Sequence, residues 1–222
     1  MKLISLQFAF FFNGYLTEQP DKLSVGLRDV CPIFDATPHT IPLPPDVPDN
    51  IPGLLLRSED NTYQLNVSKG RADFFYNSKV ADQEKDFSEH KTNFSKYLEI
   101  LFEKFSEFIE TKRLGYIVMF FEENETASKT MQSTFMKKDL GEINELNIRF
   151  NKKREAGKFE LNDITKIDPG QLVTDKTDGI IISRDVNTSP EKDYKFDEFL
   201  LQEFIDEAEK SFSFSVVQEI LK

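Results

Sequence analysis

An apolar residue recurs every seven positions in the middle of the chain, as Phe87, Phe94, Leu101 and Phe108. Further apolar residues three or four positions after these widen the stripe, and charged residues fill the opposite side. This period predicts one long amphipathic helix over 82–112, about 45 Å long at 1.5 Å per residue. Such a helix can cover a whole sheet. The alternative is a coiled-coil seam between subunits, which the Phe-rich seam positions disfavour.

Alternating apolar residues predict strands on both sides of this helix. The predicted strands are Lys2–Tyr15, Leu54–Arg57, Tyr63–Ser68, Ala72–Asn77, Tyr116–Phe121, Asn144–Asn151, Lys158–Ile164 and Gly179–Val186. Two further helices are predicted, over Thr126–Lys138 and Phe196–Lys210, with a continuation or a short final helix near Leu221. Because strands that follow one another usually pair, the sequence predicts an α+β fold. It would be one domain over 1–222, with a mainly antiparallel sheet and the helices on one side.

A proline-rich segment at 32–52 separates the first predicted strand from the second. Proline lacks a backbone N–H and fixes φ, so this density predicts an extended segment with neither helix nor ladder. The interleaved Ile41, Leu43, Val47 and Ile51 favour packing onto the body of the domain. The alternative is a polyproline ligand for another protein.

Charge and cysteine content bear on compartment and partner. The formal net charge of −11 disfavours contact with phosphate backbones and anionic lipid. One cysteine, Cys31, excludes an intramolecular disulfide and suits a reducing compartment. The apolar start, Leu3–Phe12, is too short for a bilayer span and lacks a small-residue cleavage site. We therefore expect a cytoplasmic protein with no membrane partner.

One cluster of basic residues runs against the negative net charge. It comprises Lys152, Lys153 and Arg154, with Arg149 and Lys158 nearby. A local basic patch can bind nucleic acid in an acidic protein, but we interpret this one as a solvated turn between two strands. A further alternative is an acidic inhibitor that mimics nucleic acid. The acidic residues are dispersed and do not form long blocks, which disfavours this alternative.

No motif for nucleophilic, zinc or phosphate-loop chemistry is present. The two histidines, His39 and His90, belong to the proline-rich segment and the helix stripe, and neither adjoins a nucleophile motif. Cys31 could meet either histidine in space, although a small buried thiol is the commoner situation. The sequence thus predicts no catalytic residue and no cofactor.

Five aspartates in the last third of the chain are the only candidates for a metal site. They are Asp163, Asp168, Asp175, Asp178 and Asp185. Their density is expected in a chain with 39 acidic residues, and no metal-ligand spacing is present, so no metal is predicted. The enzymatic alternative is a metal-dependent nuclease of unfamiliar type that uses Asp163, Asp168 and Asp185.

The end of the last predicted strand supplies the candidate binding surface. Arg184, Asp185 and Asn187 lie there, and with Arg149 they would line a cleft. In the structural alternative, the Asp and Asn cap turns after the strand by bonding to the backbone.

From about residue 105 to 215 the chain resembles a family of sporadically distributed bacterial proteins with no established activity. The matching segments are NIRFN at 147–151, SRDVNT at 183–188, and FDEFLLQEFIDEAEKSF at 196–212. Families of this kind often lie in mobile or defence-associated gene neighbourhoods. The resemblance implies no enzyme and supplies no site residues.

These observations favour a non-enzymatic interaction protein of a bacterial defence, immunity or toxin-control system. Its sheet or its proline-rich segment would contact a protein partner or a second copy of the chain. The absence of catalytic motifs and the abundance of Phe motivate this hypothesis.

Overall fold

The computed structural model describes residues 1–44, 46–83, 85, 87–138, 140–141, 143, 145–172 and 176–221. The strands are β1 (Lys2–Phe12), β2 (His39–Thr40), β3 (Leu54–Arg57), β4 (Tyr63–Val67), β5 (Arg71–Asn77), β6 (Thr111–Glu123), β7 (Ile148–Ala156), β8 (Phe159–Gln171) and β9 (Asp178–Thr188). The α-helices are α1 (Pro20–Val30), α2 (Phe87–Ser106), α3 (Ala127–Phe135), α4 (Glu198–Glu209) and α5 (Phe214–Gln218).

All nine strands belong to one sheet, in the order β2-β3-β4-β5-β1-β6-β9-β8-β7. Every neighbouring pair is antiparallel. The predicted α+β class with an antiparallel sheet is therefore confirmed. The N-terminal strand β1 lies at the centre, between the meander β2–β5 and the C-terminal strands.

The helices pack on the face of the sheet to which Phe8, Phe10 and Phe12 of β1 point. Phe10 lies 5.8 Å from Phe105 of α2, and Phe8 lies 5.9 Å from Phe204 of α4, centroid to centroid. Helix α1 packs against α2 and β3, and Val217 of α5 is buried in the same core. No described helix is long and apolar enough to cross a lipid bilayer.

The opposite side of the sheet, which we call the open face, is formed by the alternate residues of each strand. Its central row, read across the registered pairs, is Arg57, Gln64, Phe75, Gln7, Ile117, Asp185, Ile164 and Asn151. None of these side chains is fully buried. The protein thus has two layers, with helices on one side of the sheet and solvent on the other.

Helix α2 is shorter than the sequence pattern predicted. It ends at Ser106, and Thr111 already begins β6, so the predicted end at residue 112 is wrong. Phe108, expected on the apolar stripe, is 38% exposed and lies 5.4 Å from the ammonium of Lys104. The buried side of α2 is Phe87, His90, Phe94, Leu98, Leu101, Phe102 and Phe105. The seven-residue period therefore extends to Phe108, although the helix ends at Ser106.

The basic run at 152–154 lies inside β7 and not in a turn. The turn comes later, at Gly157 and Lys158, where Gly157 has a φ of +58°. Glycine adopts this left-handed conformation without the steric cost that a Cβ brings. Of the predicted strand Asn144–Asn151, residue 144 lies outside the described residues.

Two helical features differ from the sequence prediction. Helix α1 was not predicted, although Pro20 stands in its first turn and Leu23 and Leu27 are buried on one side. In α4 the buried residues include Leu201 and Ile205, whereas Phe199, predicted to face inward, is 67% exposed. Bulky apolar residues occur on all sides of α4, so the sequence pattern did not identify which side is buried.

The proline-rich segment forms one short ladder that the sequence did not predict. His39 and Thr40, between two prolines, pair with β3 as the two-residue strand β2. Ile41 and Ile51 are each 40% exposed, so the predicted packing of this segment onto the domain is only partial. Pro45 lies outside the described residues.

We expect Phe94→Ala to lower the free energy of unfolding by about 3–5 kcal/mol, because it leaves a cavity in the core. Phe94 is fully buried and stacks on Phe74 with centroids 4.8 Å apart. Phe199→Ala, the matched control on an exposed helical position, should cost less than about 1 kcal/mol. Urea denaturation measures both values, and equal losses would contradict this assignment of the core.

Candidate functional site

A ladder of polar side chains crosses the open face over β7, β8 and β9. Asn151 Nδ2 donates to Asn162 Oδ1 at 3.4 Å, and Asn162 Nδ2 donates to Asn187 Oδ1 at 3.3 Å. Asn187 Nδ2 in turn donates to Asp185 Oδ1 at 3.0 Å. Asp185 and Asn187 share this face because they are two residues apart on one strand. The ladder fixes the orientation of the Asp185 carboxylate.

The ladder ends on a carboxyl group whose pKa is shifted upward. Burial raises the pKa of Asp185. The hydrogen bond from Asn187 and the positive charges of Lys166, Arg71 and Arg149 act in the opposite direction. Of the four residues predicted to form a binding surface, three therefore lie on the open face: Arg149, Asp185 and Asn187.

Two arginines flank one aromatic ring near the centre of the open face. The guanidinium carbons of Arg71 on β5 and Arg113 on β6 lie 4.7 Å and 4.6 Å from the centroid of Phe11 on β1. Arg71 also pairs with Asp73, which accepts a 2.9 Å bond from Gln7. Burial, followed by the nearby charge of Arg71, lowers the pKa of Arg113.

Sequence reasoning missed the Arg71–Phe11–Arg113 stack because β5 and β6 lie far apart in the chain. The available signal was Phe11 itself, an aromatic residue out of phase with the buried Phe8, Phe10 and Phe12.

The open face combines half-exposed apolar residues with nearly balanced charges. Its partly exposed apolar side chains include Leu55, Phe75, Ile117, Met119, Ile164 and Ile181. Its cationic side chains are Lys2, Arg57, Arg71, Arg113, Arg149, Lys153 and Lys166, and its carboxylates are Asp73, Glu123, Glu155, Glu160, Asp168 and Asp185. With seven cations and six carboxylates the open face is slightly positive, so the net charge of −11 comes entirely from the rest of the molecule.

Arg184, the fourth residue of the predicted binding surface, lies on the helix side of the sheet. It is 7% exposed, and its Nη2 donates to Asp163 Oδ1 at 2.6 Å. Adjacent residues of a strand point to opposite faces, so Arg184 and Asp185 do not share one surface. Arg184 is accordingly excluded from the predicted surface.

Asp163 is the centre of a buried polar cluster that joins three strands to the C-terminal helices. Its Oδ2 accepts a 2.9 Å bond from the hydroxyl of Ser211, just after α4. Arg154 on β7 lies 3.6 Å from Asp163 and donates a 2.8 Å bond to the carbonyl of Glu207. These contacts give Asp163 a structural role.

The candidate metal ligands do not converge. Asp163 faces the helices, whereas Asp168 and Asp185 face the open side. Asp185 on β9 pairs in register with Ile164 on β8. Asp168 lies four residues further along β8, which separates it from Asp185 by about 13 Å. Asp178 begins β9 and is exposed, and Asp175 lies outside the described residues. Among the residues described, no three His, Cys, Asp or Glu side chains are grouped so as to hold a metal ion.

Cys31 and the two histidines lie in three different environments. Cys31 is fully buried at the end of α1, and burial raises the pKa of its thiol to about 12. His90 is 5% exposed, and its Nδ1 shares a 2.9 Å hydrogen bond with the Tyr76 hydroxyl. His39 is exposed on β2. A thiol that is protonated and inaccessible at neutral pH is a poor nucleophile.

The described parts of the chain include two well-defined concavities. One, of about 1250 Å³, lies between the start of α3 and the ends of β8 and β9, with Asn124, Gln171 and Asp178 in its lining. The other, of about 400 Å³, is an apolar groove between Leu23 of α1 and Leu43 of the proline-rich segment. The larger one is also lined by the titratable residues Glu125, Lys129 and Glu145.

No protein-family model matches this chain, and no curated protein matches it.

We expect Asp163→Ala to lower the free energy of unfolding by about 3–5 kcal/mol, because it leaves Arg184 buried without its ion-pair partner. Asp168→Ala, on the same strand but on the open face, is the matched control and should change stability by about 0.5 kcal/mol or less. The double variant Asp163→Leu/Arg184→Met should recover most of the loss. Urea titrations of all three variants test this, and an equal loss from the two alanine variants would contradict the buried cluster.

We expect the stability of the protein to fall as pH drops below about 6.5, partly through His90. Burial lowers the pKa of His90 below its usual 6.5. The unfolded chain therefore takes up a proton at a higher pH than the folded one, and stability is complete only above the unfolded pKa. His90→Gln should flatten the curve of unfolding free energy against pH between 6.5 and the folded pKa. His39→Gln is the matched control, and an identical flattening there would refute this assignment.

Proposed function

We propose that this chain is a non-enzymatic binding protein that holds another protein against the open face of its sheet. The observation that carries the proposal is the one-sided packing of the helices, which leaves Phe75, Ile117 and Met119 partly exposed on the other side. Soluble monomers rarely leave large contiguous apolar areas exposed, and such areas commonly mark interaction surfaces.

The open face has the size that a stable protein complex needs. Eight strand spacings of 4.8 Å give a width of about 38 Å, and eight residues along a strand give about 26 Å. The resulting area of about 1000 Å² exceeds the roughly 800 Å² that each partner buries in a standard interface.

The distribution of charge favours a protein partner over nucleic acid. Cations and carboxylates nearly cancel on the open face, and the molecule as a whole carries −11. A nucleic-acid site needs an excess of cations to displace counterions from phosphates. A balanced, partly apolar surface is instead the usual composition of a protein–protein interface.

The proposal keeps the setting that the family resemblance implies, which is a bacterial defence, immunity or toxin-control system in the cytoplasm. Genes adjacent to this one test that part, because partners in such systems are commonly encoded together. A second copy of the chain is the competing occupant of the open face, and light scattering of the purified protein distinguishes it from a different partner.

We expect Ile117→Arg to weaken binding of the partner by about 100-fold, a loss typical of a central interface residue. The partner is first identified by photo-crosslinking in native cells, with benzoyl-phenylalanine at Met119, and is then purified and titrated. Phe199→Arg, on the exposed side of α4, is the matched control and should leave affinity unchanged. Equal affinities for Ile117→Arg and the wild type would refute the open face as the binding surface, as would nucleic acid as the crosslinked species.

A further inference from the structure

Strand β7 ends the sheet with a complete row of backbone groups directed away from β8. All nine of its residues pair with β8 on one side. Among the described residues, its backbone makes no other hydrogen bond. An edge strand of this length is a template to which another extended chain can pair.

The other edge of the sheet does not offer the same opportunity. Strand β2 has only two residues, and Pro38 and Pro42 stand next to them. A short strand bounded by prolines is a common way to protect an edge, because proline has no N–H to donate. The sheet is thus closed at β2 and open at β7.

The exposed side chains of β7 are mainly cationic. Arg149, Lys152 and Lys153 are exposed, and Glu155 is the one exposed carboxylate among the residues of β7. Arg149 and Lys152 form no ion pair with any described residue, and Lys153 reaches Glu191 and Glu160 only at 3.7 Å and 3.9 Å. A cationic edge is unusual in a molecule of net charge −11 and favours an acidic partner strand.

The same charges disfavour a second copy of this chain as the occupant. Antiparallel pairing of all nine β7 residues with β7 of another copy places Lys152 opposite Lys152 and brings together two strands of net positive charge, which destabilises the ladder although Arg149 then lies opposite Glu155. The edge charges therefore act selectively, since they repel a second copy and attract carboxylates.

We propose that β7 binds an acidic, extended segment of a different protein as the tenth strand of the sheet. Carboxylates of this segment lie opposite Arg149 and Lys153 on the open-face side of β7, and its apolar side chains cover the partly exposed Ile148 and Phe150 on the other side. The inference rests on the proposed function, because it names the chemistry of the protein held at the sheet and the strand to which it adds.

The probe is a nine-residue peptide that alternates Glu with Val and carries a fluorophore. We expect it to bind the full-length protein at 50 mM salt and to bind more weakly at 500 mM, because the pairs are exposed to screening. A peptide with Lys in place of Glu, and one with Pro in place of every Val, should each bind at least about tenfold more weakly. Failure of the Glu peptide to bind at about 1 mM would overturn the proposal.

Charge-reversed variants locate the site. Arg149→Glu/Lys153→Glu should weaken binding of the Glu peptide by at least about tenfold, because both cations lie on the side of β7 that faces the Glu side chains. Lys129→Glu/Lys195→Glu makes the same change in net charge at exposed positions outside β7 and should have little effect. Equal losses in the two double variants would show a general field effect and overturn the assignment to β7.

Hydrogen–deuterium exchange identifies the mode of binding. Peptide binding should slow exchange in the segment 148–156 by about tenfold or more, because the outward amides gain partners. Protection of β1 and β6 instead would overturn pairing at the edge while it supports a partner on the open face. Tighter binding of a single-stranded oligonucleotide than of the Glu peptide, or a dimer abolished by Arg149→Glu/Lys153→Glu, would overturn it as well.

Discussion

The packing of β1 is the interaction on which the rest of the molecule depends. This strand pairs with β5 on one side and β6 on the other, so it joins the N-terminal meander to the C-terminal strands. Its buried Phe8 and Phe10 also contact α4 and α2, which lie far apart in the chain. One strand therefore connects both halves of the sheet to both large helices, and the Phe content of the chain is concentrated where these elements meet.

This arrangement separates the two faces of the sheet by function. The helix side holds the core and the Asp163–Arg184 pair, which bonds the sheet to the segment after α4. The open face carries the asparagine ladder and the Arg71–Phe11–Arg113 stack, in which side chains of neighbouring strands orient one another. Most ion pairs and hydrogen bonds of the candidate residues therefore stabilise the structure, and the surface left for a partner is defined by shape, apolar area and an unpaired edge.

Local patterns predicted much of the fold, and failures occurred where a distant contact decided the outcome. Strand Leu54–Arg57 agrees with its predicted bounds, since alternation and flanking turns are properties of the local sequence. The end of α2 was missed because Phe108 continues the helical period while the chain has already turned toward β6. The three consecutive charges at 152–154 suggested a solvated turn. Only the pairing of these residues with β8 shows that they belong to a strand.

The candidate site was predicted in part for the same reasons. Asp185 and Asn187 share a face by strand alternation, whereas alternation separates Arg184 from them. That a carboxylate from β8, Asp163, neutralises Arg184 follows from strand order, which the sequence did not reveal.

The central position of β1 has a consequence for how the protein is made. Strand β1 leaves the ribosome well before residues 111–123, which form its second neighbour, and Ala9 pairs with Gly115, which is 106 residues later in the chain. Contacts this distant in sequence slow folding, and an exposed apolar strand can associate wrongly in the interval. A segment as rich in Phe as Phe8–Phe12 is then a natural client for a chaperone that holds nascent chains.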